Sequence, residues 1–113
     1  MIFADPRFRA GVVEFNARNF FEAHEVWEDL WHDLVGEEKN LVQGLIQIAA
    51  AYLKLEQGNR SACRKLFEKA LARIDAAGDQ ARQPGVQRLL EVVQRQLADL
   101  PRGIEIEAPR FEP

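Results

Sequence analysis

A chain of 113 residues, 47% hydrophobic and 29% charged, has the length of one domain and enough apolar material for a core without disulfide staples. Its single cysteine excludes an internal disulfide framework, and a net charge of −3 with a pI near 5.4 argues against nucleic acid as a partner. The N-terminus lacks a basic start and apolar run, and the longest mostly apolar stretch, 41–55, is interrupted by Gln43, Gln47 and Lys54, so the expectation is a soluble cytoplasmic protein with no membrane partner.

The first helix is expected over 6–17. Asp5 is its N-cap, Pro6 takes the first position, where a missing N–H costs nothing, and Phe8, Val12 and Phe15 point inward. A second helix starts at Asn19, with the Asn19 side chain as cap and Glu22 as a capping-box-like partner, and stops at Gly36. A rotation of about 100° per residue gathers Phe20, Ala23, Trp27, Leu30, Trp31 and Leu34 on one arc. The third helix, 37–57, carries Leu41, Leu45, Ile48, Tyr52 and Leu55 on one face and widens with Val42, Ile46, Ala49 and Leu53, which makes it the central helix.

Gly58 as a stop and Asn59 as the next cap predict a sharp antiparallel hairpin into a fourth helix over 60–77. That helix sets Cys63, Phe67, Ala70, Leu71 and Ile74 opposite Arg64, Lys65, Lys69 and Arg73, and Gly78 stops it. After a polar loop over 79–84, the fifth helix shows Val86, Leu89, Leu90, Val93, Leu97 and Leu100 at helical spacing and closes at Pro101. The alternation Ile104-Glu105-Ile106-Glu107 is too short to carry a strand and ends among prolines. The expected fold is therefore all-α: one compact domain of about five helices in antiparallel hairpins over 1–102, and an extended C-terminal tail over 103–113.

Charge is unevenly spread. Residues 22–38 hold seven carboxylates and no Lys or Arg, whereas 54–102 hold ten Lys or Arg against six acids. Two such faces pair within one fold or between two copies, so a homodimer is a reasonable partner expectation. The basic face of the fourth helix lacks interleaved aromatics and does not alter the expectation of no nucleic acid.

Both histidines and both tryptophans fall within 20–32. On the second helix His24, Glu28 and His32 form an i, i+4, i+8 stripe with Glu25 alongside; His32 lies further toward solvent. Imidazole with carboxylates is a set for metal binding or proton transfer. The spacing is His-Glu-x-x-Glu rather than the His-Glu-x-x-His of zinc proteases, and an oxygen-rich set suits Mg²⁺ or Mn²⁺. Three readings stay open: His24 and Glu28 bonded to each other and to Gln47 across a helix contact, a divalent metal site, or an unmetallated catalytic pair.

The run Phe20-Phe21-Glu22-Ala23-His24-Glu25-Val26-Trp27-Glu28-Asp29-Leu30-Trp31, then Gln43-Gly44-Leu45-Ile46-Gln47-Ile48-Ala49, Gly58-Asn59 and Lys65-Leu66, resembles the domain of unknown function 309 family of small all-helical proteins, labelled as predicted metal-dependent hydrolases. The resemblance implies an antiparallel helical fold, a cytoplasmic location, and His24, Glu25, Glu28 and Gln47 as motif positions. The chain departs from the family pattern at Tyr52-Leu53-Lys54, where a histidine is common. The expected function is a metal-dependent hydrolase acting on a small molecule, with a site between the second and third helices. There His24 and Glu28 are catalytic, and His24, Glu25 and Glu28 are metal ligands. The alternative is a non-catalytic interaction protein in which the same cluster is structural.

Overall fold

A computed structural model describes residues 1–113 as five α-helices and no strands. They are α1 (Pro6–Asn16), α2 (Phe20–His32), α3 (Gly36–Glu56), α4 (Arg60–Asp75) and α5 (Pro84–Asp99), with short 3₁₀ turns at Ile2–Ala4, Gly78–Arg82 and Leu100–Arg102. No helix is long and apolar enough to cross a membrane.

Local signals set most boundaries. Asp5 accepts from the Arg7 N–H at 2.8 Å, and Asn59 accepts from the Ala62 N–H at 3.0 Å. At the end of α3 the Asn59 N–H reaches the Lys54 carbonyl and the Gly58 N–H reaches that of Leu55, with Gly58 at φ +77. This is a Schellman stop, in which a left-handed residue lets two orphan carbonyls be satisfied. α1 ends the same way at Asn19 and Arg18, so the left-handed place falls to an arginine at φ 67.

One expected cap does not form and two expected boundaries move. The Asn19 side chain does not cap α2; its Nδ2 donates instead to Glu14 Oε2 at 3.1 Å, across the tight turn that the Schellman stop creates. Gly36 does not end α2, which stops at His32; at φ +65 it opens α3 after a short link. The stretch after α4 is a 3₁₀ turn over Gly78–Arg82, and α5 then begins at Pro84 with Gln83 accepting from the Val86 N–H at 2.9 Å.

The helices pack in antiparallel pairs, as residue pairing shows. Phe15 meets Phe20 while Phe8 meets Trp27 between α1 and α2. Phe20 meets Tyr52 while Lys39 lies over Trp31 between α2 and α3. Tyr52 meets Phe67 while Asn40 donates to the Ala76 carbonyl between α3 and α4. At each of these contacts one number rises as the other falls. α3 is central: Leu41, Leu45, Ile48, Ala49 and Tyr52 are all buried on it.

The tail is a strap. Phe111 is 1% exposed among Phe8, Phe15 and Trp27, and Asn16 holds its backbone from both sides. Gln96, the one buried polar residue, accepts from the Tyr52 hydroxyl at 2.5 Å and donates to the Glu107 carbonyl at 2.7 Å.

Candidate metal centre

α2 buries Phe20, Ala23, Trp27 and Leu30 as its inner face. One step around the helix, on the shoulder, lies His24, with Glu28 one turn on and Glu25 next in sequence. This is the placement that helical rotation dictates once Trp27 points inward. Trp27 is anchored: its Nε1 donates to the Phe8 carbonyl at 3.0 Å. Trp31 is half-buried, and the Lys39 ammonium sits 4.1 Å from its ring centroid.

The two imidazole nitrogens face different carboxylates. His24 Nε2 lies 3.3 Å from Glu28 Oε2, and Nδ1 lies 3.4 Å from Glu25 Oε1. One ligand atom from each of His24, Glu25 and Glu28 falls within a 4.8 Å group. His24 Nδ1 is buried with no hydrogen-bond partner, whereas the Glu25 and Glu28 side chains are 57% and 45% exposed. The Phe21 ring stacks on His24 at 6.4 Å and is itself exposed.

This donor set fits a divalent ion. Ligand atoms on opposite sides of an ion with bonds of about 2.1 Å stand about 4.2 Å apart, so small side-chain rotations would bring the three together. An imidazole gives one nitrogen to the ion, and both carboxylates already stand within 3.4 Å of the His24 ring nitrogens. Three ligands from one helix cover one side of an ion and leave the other open.

Gln47 is not part of this arrangement. It shares an α3 stripe with Asn40 and Gly44, which turns toward α4, and it lines a crevice there with Lys69, Ala72 and Arg73. Its Oε1 is buried without a partner, so the hydrogen bond to His24 that one of the three sequence readings required does not form. His32 is exposed at the end of α2 against the edge of Trp31. Cys63 is fully buried, and burial pushes its thiol up to about 11, which makes it a packing residue.

The family model described as "Domain of unknown function (DUF309)" matches residues 8–66, more than half of the chain. The match runs from Phe8 in α1 through the His24 cluster and the α3–α4 hairpin. The chain belongs to this family. No curated protein and no solved structure matches it.

Proposed function

We propose that this member of the DUF309 family binds a divalent metal ion through His24, Glu25 and Glu28 and uses it in hydrolysis. The observation that carries the reading is the convergence of an imidazole and two carboxylates within 4.8 Å beside a buried imidazole nitrogen that lacks a partner. A bound ion in such a site supplies Lewis acidity toward an ester, amide or phosphate oxygen. The chain's own contribution is orientation: the Trp27 anchor fixes the rotation of α2, and with it the side of the helix from which His24, Glu25 and Glu28 project together. In a metal-free state the His24/Glu28 pair would act as a base held by a carboxylate.

Elemental analysis of tag-free protein tests this reading. A near-stoichiometric divalent metal, lost in His24→Ala, is the expected result; metal-free protein whose melting temperature ignores Mn²⁺, Mg²⁺ and Zn²⁺ overturns it.

A second reading takes the same cluster as part of an interaction surface. It is favoured by exposure: Phe21 lies open to solvent beside His24, and Glu25 and Glu28 stand on the outer face of α2 rather than inside a cleft. In that case the acidic α2 pairs with the basic face of α4 on a second copy. Sedimentation at low and high salt separates the two, because a homodimer held by opposite charge dissociates as salt screens it.

A further inference from the structure

A cleft of about 380 Å³ opens at the N-terminal end of α2, where the α1–α2 turn, the end of α3 and the tail meet. That volume falls within the roughly 300–1,000 Å³ of small-molecule sites. Its floor is apolar: Phe20 and Tyr52, whose rings lie 5.6 Å apart, with Leu55 beside them. The strap closes one wall with Ile106 and Ala108.

Three charged residues also line the cleft: Arg18, Glu56 and Glu107. None of them takes part in any ion pair of the molecule. The Arg18 guanidinium has one hydrogen bond, to the Pro109 carbonyl at 3.5 Å, the outer limit for such a bond. The backbone beneath it is strained, since Arg18 is the only non-glycine residue at positive φ and occupies the place in a Schellman stop that glycine favours. Glycine there would relax the turn; what it would lack is the guanidinium. Strain of this kind, held in place at the mouth of a cleft, points to a functional side chain.

We propose that this cleft binds a free α-amino acid with an apolar side chain. The ligand carboxylate pairs with Arg18, the ammonium pairs with Glu56 or Glu107, and the side chain lies on Phe20, Tyr52 and Leu55. A cation and two carboxylates that leave one another unpaired over an apolar floor complement a small zwitterion. A peptide terminus satisfies only half of that set, because it carries one of the two charges. The site is independent of the His24 cluster and of any metal.

The test is an NMR titration of the full chain with L-phenylalanine, read at the Leu55 and Ile106 methyl groups. The expected result is saturable shifts with a Kd on the order of 1 mM, as suits partly solvated charges. N-acetyl-L-phenylalanine, L-phenylalaninamide and glycine, each lacking one element, should bind at least about tenfold more weakly. Arg18→Gly should fold with an equal or higher melting temperature and lose at least about tenfold in affinity. The double variant Glu56→Gln/Glu107→Gln should weaken L-phenylalanine without weakening the N-acetyl compound, which has no ammonium to lose a partner and is no longer repelled by the two carboxylates. Absence of saturable shifts up to the solubility of the amino acid overturns the proposal. So does equal binding of either blocked analogue, or unchanged affinity in Arg18→Gly or in the double variant.

Discussion

Asn16 and Phe111 are 95 positions apart and bonded twice: Asn16 Nδ2 donates to the Phe111 carbonyl at 2.9 Å, and Asn16 Oδ1 accepts from the Phe111 N–H at 2.8 Å. One carboxamide thus completes the backbone of an extended segment as a neighbouring strand would. It thereby seats the Phe111 ring against Phe8, Phe15 and Trp27.

Removing that clamp should loosen the strap. Asn16→Ala leaves a part-buried donor and acceptor unpaired and is expected to cost about 1–3 kcal/mol in urea unfolding. Phe111→Ala empties a site in the aromatic core and is expected to cost about 3–5 kcal/mol. An Asn16→Ala loss under about 0.5 kcal/mol would show that the clamp contributes nothing to holding the strap.

Gly11 reverses the usual helix rule. An exposed helical Gly→Ala change stabilises by roughly 0.5–1 kcal/mol. Here a Cβ on Gly11 would overlap the Trp27 indole, so Gly11→Ala should destabilise by about 1–3 kcal/mol. Trp27→Ala alone should cost about 3–5 kcal/mol, and the double variant less than the sum, since the new methyl partly fills the vacated space.

Alkaline pH should weaken the fold. Burial pushes the Cys63 thiol from 9.0 up to about 11, and burial, with the Cys63 charge second, moves the Tyr52 hydroxyl in the same direction. Both groups hold their protons more tightly when folded, so the folded state binds more protons above pH 9 and stability falls as pH rises from about 9 toward 11. Below that window the two groups contribute no pH dependence. Urea midpoints at pH 8, 9.5 and 10.5 check this, and Cys63→Ala should flatten the slope.

Metal binding at the His24 cluster should register as stability. An ion at about 100 times its Kd adds about 2.7 kcal/mol, which for a chain of this size raises the melting temperature by on the order of 10 °C. Glu28→Gln keeps the shape of the side chain and removes its charge, so it should reduce the rise; His24→Ala should abolish it. Gln47→Ala should leave the rise unchanged, because Gln47 faces α4.

Much of this architecture was legible in the chain. Apolar residues recurring at helical spacing specify five helices and their inner faces; short connections such as Gly58-Asn59 force neighbours antiparallel; and rotation about one helix axis alone gathers His24, Glu25 and Glu28. Such features depend on residues a few positions apart, so local geometry suffices to specify them. The caps at Asp5 and Asn59 belong to the same class, whereas Asn19 shows its limit: a neighbouring turn offered its side chain a different partner.

Tertiary structure decided the rest. Whether Gln47 turned to α2 or α4 depended on which flank of α3 each neighbour took, and periodicity within one helix cannot specify that. The burial of Gln96 required Tyr52 and Glu107 to converge from 44 and 11 positions away, and the tail became a strap only because Asn16 and an aromatic cavity awaited Phe111. Bonds between distant residues depend on how whole helices dock, and that is decided by the summed packing of the core rather than by any local pattern.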